Sequence, residues 1–162
     1  MKKKNIIDEL SINIGDKDCL DDFIITSIKK ISDLDIPSRD GKTLLHFACL
    51  YGRKRITEFL LEQGANINVS DNSGDSVLHM AVLSKDISIV KLILSRGINV
   101  DIQNKLGNPP IWYISAQTID IATELLNNGA NIHIKNNYNF SPYEYLLNVP
   151  GMKDFFDKRG VH

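Results

Sequence analysis

Residues 41–65 read GKTLLHFACLYGRKRITEFLLEQGA. The same pattern returns 33 residues later over 74–98 as GDSVLHMAVLSKDISIVKLILSRGI, and more weakly over 107–130 as GNPPIWYISAQTIDIATELLNNGA. A fixed period of this length marks stacked supersecondary units, none of which buries its apolar face alone. Gly41, Gly74 and Gly107 are 33 apart, and so are His46, His79 and Trp112. Gly64 and Gly97 keep that interval, but Gly129 follows Gly97 by 32. One residue is therefore missing in the third copy, and the apolar runs place the gap near Ala116 to Thr118. A step of 32 from Gly107 lands on Asn139. After glycine, asparagine is among the residues that best tolerate a left-handed backbone.

Each copy reads turn, helix, turn, helix, turn. Thr43 and Ser76 are placed to cap a short first helix through their side-chain oxygens. Leu45 and Ala48 of that helix recur as Leu78 and Ala81. The second helix carries Ile56, Phe59 and Leu60, matched by Ile89, Leu92 and Ile93. This i, i+3, i+4 stripe belongs to a helix with one buried face. Gly64, Gly97 and Gly129 end it as left-handed caps. Helices of about ten residues are marginal alone and need their neighbours. The expected fold is all-α, a solenoid of helix-turn-helix units joined by hairpin-like loops.

On these residues the chain resembles an ankyrin-repeat protein. The family's TPLHxA and LLxxGAxxN segments correspond to Thr43-Leu-Leu-His-Phe-Ala48 and Leu60-Leu-Glu-Gln-Gly-Ala-Asn66, then to Ser76-Val-Leu-His-Met-Ala81 and Leu92-Ile-Leu-Ser-Arg-Gly97. The third copy keeps Pro110 and the LLxxGAN ending. It departs by placing Trp112 at the histidine position and Glu124 at an apolar helix position, so Glu124 faces either a looser interface or a partner.

Five modules are expected: an N-terminal capping repeat over 1–37, repeats over 38–70, 71–103 and 104–135, and a C-terminal capping repeat over 136–162. The first is degenerate, with Ile31 to Pro37 in register with Gly64 to Ser70. Its inner helix is placed at Asn5–Ile12 and its outer helix at Leu20–Lys30, with Phe23, Ile24 and Ile28 inward. At the other end Ser141-Pro142 opens a helix holding Tyr143, Tyr145, Leu146 and Leu147. Pro150 starts a last helix with Met152, Phe155 and Phe156. Terminal repeats of a solenoid need a polar outer side, which fits the loss of the signature there.

Of the residues 43% are hydrophobic and the formal charge is −1. That balance suits a folded domain with no general attraction to nucleic acid or anionic membranes. No apolar run approaches a membrane span. Met1-Lys-Lys-Lys-Asn5 imitates the start of a signal peptide, but Asp8, Glu9, Asp16 and Asp18 interrupt the apolar segment that should follow. A cytoplasmic location is expected, with Cys19 and Cys49 as reduced thiols.

His46 and His79 invite a catalytic or metal reading. Zinc would need four ligands, and no Cys/His cluster supplies them. The His46–Cys49 spacing puts both on one helix face, yet no third group orients a nucleophile–base pair. The family resemblance implies instead that each histidine braces a turn together with the threonine or serine three residues earlier. No cofactor is implied, since the glycines fall one per turn and form no phosphate-cradling loop. Arg53-Lys-Arg55, the only basic cluster, is read as a solvated edge, with contact to phosphate or an acidic partner as the sharper alternative.

The resemblance further implies binding through hairpin tips and the exposed side of the inner helices. The tip positions are Arg39, Asp40, Lys42, Asn72, Ser73, Asp75, Lys105, Leu106, Asn108, Asn137 and Tyr138. Leu50, Tyr51, Leu83, Ser84 and Ala116 lie on the inner helices. Trp112 and Tyr113 either add to this strip or pack against the next tip. Large apolar residues in one strip point to a protein interface. The expected function is a non-enzymatic, monomeric protein-binding module that sequesters or inhibits one partner through its concave face. A bacterial immunity protein neutralising a toxin and a protein capturing a host factor are specific versions, and both suit the Ile-, Asn- and Lys-rich composition. An enzyme is the rival class.

Overall fold

The computed structural model describes residues 6–160. Met1 to Asn5, including the expected first residue of the first helix, lie outside them. Among the described residues the chain is helical and forms no sheet; one isolated bridge pairs Ser70 with Ser76. An inner row is formed by α1 (Ile6–Gly15), α3 (Leu44–Leu50), α5 (Val77–Leu83), a 3-10 helix (Pro110–Tyr113) and α8 (Pro142–Leu146). Neighbours in this row pack on one another. An outer row holds α2 (Asp21–Ile28), α4 (Lys54–Glu62), α6 (Ile87–Leu94) and α7 (Ile119–Asn127), stacked in the same order. The last helix, α9 (Met152–Arg159), meets α7 where Arg159 Nη2 donates to Asn127 Oδ1 at 3.0 Å.

Between the rows runs one continuous apolar core. Ile56 and Leu60 of α4, Ile89 and Ile93 of α6, and Ile121 and Leu125 of α7 are fully buried against Leu45, Ala48, Leu78 and Ala81 of the inner row. Each large side chain contributes roughly 1.5–3 kcal/mol relative to exposure. That gain is available only when a neighbouring module covers it, which is why such short helices persist. Gly64, Gly97 and Gly129 cap the outer helices at φ 87°, 75° and 88°. Glu124 is half-buried between outer helices, its Oε2 3.8 Å from Lys91 Nζ.

Two expectations need correction. The first helix of the third copy is a four-residue 3-10 turn, not an α-helix. Pro109 and Pro110 stand at the helix start, where proline is tolerated, and the missing residue removes the turn that would lengthen the helix. The backbone extends at Ile114, and the break is closed by Ser115 N–H donating to Thr118 Oγ1 at 2.8 Å. Phe23 points outward and is 58% exposed, while Ile24 and Ile28 are buried. The buried stripe of α2 is centred on those isoleucines, and Phe23 falls on the end of the stack, where no described module covers it.

Candidate functional site

Four tips are built alike, opening at Ser38, Asp71, Asn104 and Asn136, spaced 33, 33 and 32. Asp71 Oδ1 accepts from the N–H groups of Ser73 and Asp75 at 2.8 and 3.0 Å. Asn104 Oδ1 does the same for Leu106 and Asn108, and Asn136 Oδ1 for Tyr138 and Phe140. The other polar atom of each side chain reaches back one repeat. Lys42 Nζ meets Asp71 Oδ2 at 2.6 Å, and Asn104 Nδ2 donates to Asp75 Oδ1 at 2.8 Å. Asn136 Nδ2 donates to Asn108 Oδ1, also at 2.8 Å. Burial opposes ionisation of Asp71, but Lys42 and the Ser73 and Asp75 N–H groups outweigh it and hold the carboxyl below its usual range. Tyr113 donates to Asp75 Oδ1 at 3.3 Å; burial first, then the Asp75 charge, push its hydroxyl up to about 12.

Lys42, Asp75 and Asn108 are therefore rungs of an inter-repeat ladder, not free contact residues, and Asn108 is only 7% exposed. Their partners Asp71, Asn104 and Asn136 escaped the sequence reading. The signal was present as Asp or Asn recurring at the repeat interval, three residues before Gly74, Gly107 and Asn139.

Backbone bonds run beside this ladder. Asn72 N–H donates to Asp40 C=O at 3.0 Å, Lys105 N–H to Ser73 C=O at 2.9 Å, and Asn137 N–H to Leu106 C=O at 3.0 Å. The tips lie so close that a Cβ on Gly74, which sits at φ +81°, would be 2.7 Å from Lys105 N. Gly41 and Gly107 are confined in the same way by the tips that follow them. The equivalent Asn139 keeps φ 64° and does carry a Cβ. A further tip could not approach it so closely, which closes the ladder.

The two histidines brace these turns. Thr43 N–H donates to His46 Nδ1 at 3.1 Å, and Ser76 N–H to His79 Nδ1 at 3.0 Å. Because Nδ1 accepts, the proton sits on Nε2. It is donated to the next repeat, to Asp75 C=O at 3.2 Å from His46 and to Asn108 C=O at 3.0 Å from His79. Burial lowers both pKa values below 6.5, only partly opposed by those carbonyls and the nearby carboxylates. Their contribution to stability is thus complete above the unfolded value of 6.5 and is lost as pH falls from there through the folded values. The slope reaches at most about 1.4 kcal/mol per pH unit per histidine. Urea unfolding at pH 7.5 and 5.5 should show this loss. A His46→Gln/His79→Gln variant should start about 1–3 kcal/mol lower from its weakened turns, with a flatter acid limb. An unchanged acid limb in that variant would mean the imidazoles do not couple to folding.

In the third repeat Trp112 replaces the histidine bond with a ring stack on Tyr145, centroids 4.6 Å apart and planes 12° from parallel. Both readings of Trp112 hold in part, since it packs on the next module and stays half-exposed. Tyr51 covers Gly15, yet it is 48% exposed. Leu50 leans on the core, and Asn72 donates its side-chain N–H to Arg39 C=O at 3.0 Å. Arg39, Asp40, Lys105, Leu83, Leu106 and Tyr138 are exposed as expected. Phe140 and Tyr145, also exposed, were not anticipated as part of the surface.

Within the basic cluster Lys54 and Arg55 are exposed, as the solvated-edge reading expects, but Arg53 is not. Arg53 holds Asp21 Oδ1 through Nε and Nη2 at 2.9 and 2.6 Å, and the carbonyls of Asp16 and Cys19 at 2.9 and 2.6 Å. Arg55 pairs with Asp22 at 2.6 Å on the surface. Arg53 and Arg55 thus find their acidic partners in the first module of the same chain, while Lys54 pairs with Glu58 of its own helix.

A family model for ankyrin repeats matches residues 9–104 in three copies, more than half of the chain. The chain is an ankyrin-repeat protein. No curated protein matches it. Ankyrin repeats are generally protein–protein interaction modules and typically non-enzymatic, and the ankyrin ladder seen here explains why their tips line up. Among the described residues no helix is long and apolar enough to cross a membrane. No group of three or more His, Cys, Asp or Glu is placed there to hold a metal ion. The Cys49 thiol is buried, which pushes its pKa up to about 12 and makes it a packing group.

Proposed function

We propose that this ankyrin-repeat protein sequesters or inhibits one protein partner inside the cell, acting as a monomer and without catalysis. The partner lies along the tip row and the exposed ends of the inner helices. One observation carries the reading. Leu83, Tyr51, Leu106 and Tyr138 expose 39–66% of their surface on elements whose ladder bonds are made by other side chains and by the backbone. Position by position, the second tip residue changes from Asp40 and Ser73 to Leu106 and Tyr138, so the row grows apolar toward its C-terminal end. Arg39, Asp40 and Lys105 supply a charged rim, which acts on association rate and specificity.

Toxin neutralisation and capture of a host factor differ only in the partner's identity. Affinity capture from the source cells tests the reading when run with two variants. Leu83→Asp/Leu106→Asp should lose the captured protein, because a few apolar anchors carry most of an interface's energy, ~2 kcal/mol or more each. Glu62→Lys/Lys91→Glu on the outer helices should retain it. The opposite pattern, at equal melting temperatures, would place the interface on the outer row.

A further inference from the structure

The C-terminal end of the surface has a definite chemistry. Position 140 continues the series Lys42, Asp75 and Asn108, each of which bonds the following tip. Phe140 stands there instead, 58% exposed, with no described tip beyond it. With Trp112, Glu144, Tyr145 and Asn148 it lines a cleft of about 270 Å³. The stacked rings of Trp112 and Tyr145 contribute its aromatic surface.

Besides the indole N–H of Trp112 and the hydroxyl of Tyr145, the polar groups of this cleft are the acceptors of Glu144 and Asn148. Glu144 Oε2 takes the N–H and O–H of Ser141 at 2.7 and 2.8 Å, bonds that hold its carboxyl below the usual range. Its Oε1 forms an exposed ion pair with Lys135 Nζ at 3.7 Å, beyond hydrogen-bond distance, and so keeps room to accept a donor. Asn148 turns its Nδ2 back to the carbonyls of Glu144 and Tyr145 at 3.2 and 3.4 Å, which leaves Oδ1 as its free acceptor. Aromatic walls beside a carboxylate oxygen and an amide oxygen complement a planar, donor-rich cation. A guanidinium stacks flat on rings and carries five N–H donors, whereas an ammonium is a compact, strongly hydrated charge. A carboxylate or phosphate would meet Glu144 with like charge.

We infer that the cleft of Trp112, Phe140 and Tyr145 receives an arginine side chain of the bound protein, stacked on the rings and donating to Glu144 Oε1 and Asn148 Oδ1. This deepens the protein-binding reading above and rests on it.

Trp112 is the only tryptophan, so its emission reports on the cleft. The full chain is titrated with acetyl-Gly-Arg-Gly-amide and with its lysine, norleucine and glutamate analogues. The arginine peptide should give a saturable change in the millimolar range, as one side chain allows. The lysine peptide should bind roughly fivefold more weakly, and the glutamate peptide should give no saturable response. Glu144→Gln keeps a capping side chain for Ser141 and should weaken the arginine peptide several-fold. Tyr145→Leu should abolish the response at an unchanged fold by circular dichroism. A norleucine peptide equal to the arginine one, an insensitive Glu144→Gln, or no response to arginine would overturn the assignment. The peptides contain no part of the native partner, so their failure would leave the wider strip standing. Failure of the capture variants would remove the strip without changing the peptide result.

Discussion

Gly74→Ala is expected to lose about 3 kcal/mol of stability, from strain at a positive φ and from overpacking against a neighbouring backbone. The first term arises because an L-residue is disfavoured at Gly74's φ of +81°. The second arises because the new Cβ would stand 2.7 Å from Lys105 N, so the tips must part and strain the Lys105 N–H to Ser73 C=O bond. Gly97→Ala separates the two terms. Gly97 has φ +75° but no atom within 4 Å of an added Cβ, so only the backbone term remains. That substitution should cost about 1–2 kcal/mol. Asn139→Ala should fall at or below the same value, because it already carries a Cβ. Urea unfolding of the three variants provides the comparison. Equal losses at positions 74 and 97 would mean that tip-to-tip contact adds nothing to the stack.

Arg53→Met is expected to release the first module, with a loss of about 2 kcal/mol from its charge-assisted hydrogen bonds, discounted for partial exposure. The Arg53 side chain is 13% exposed and Asp21's is 27%, so solvent screens the pair only in part. Methionine keeps the aliphatic packing and removes the fork. The effect should be local, since Arg53 joins α4 to the segment between α1 and α2. Hydrogen exchange should rise in α1 and α2 and stay unchanged in α5 and α6. Arg53→Lys should recover little, because one ammonium cannot reach the Asp21 carboxylate and two carbonyls together. Unchanged protection in α1 and α2 would show that apolar packing alone holds the module.

The fold was legible because the repeat acts on backbone geometry. Glycines at a fixed interval, stripes such as Ile56/Leu60 and Ile89/Ile93, and His46 with His79 report φ values, buried faces and turn bonds that single residues specify. Asn139 was legible for the same reason. The binding surface was harder to read, because exposure depends on what a side chain meets in another repeat. Lys42, Asp75 and Asn108 look like free tip residues until Asp71, Asn104 and Asn136 are brought beside them from about 30 residues away. Arg53 looks like part of a basic edge until Asp21 folds onto it. Phe140 looks like a packing residue because nothing local shows that the ladder ends there. The shortened third repeat shows the same limit, since its gap was located correctly but the missing residue also converted a helix into a 3-10 turn.

Site-specific photocrosslinking tests the binding surface most directly. A photoreactive side chain is placed singly at Leu83, Leu106, Tyr138, Glu62 and Lys91 of the full chain, and each protein is irradiated in lysate of the source cells. Leu83, Leu106 and Tyr138 should all join to the same protein, while Glu62 and Lys91 on the outer helices should give no such adduct. Adducts from Glu62 and Lys91 with none from the tip and inner-helix positions would contradict the assignment of this surface.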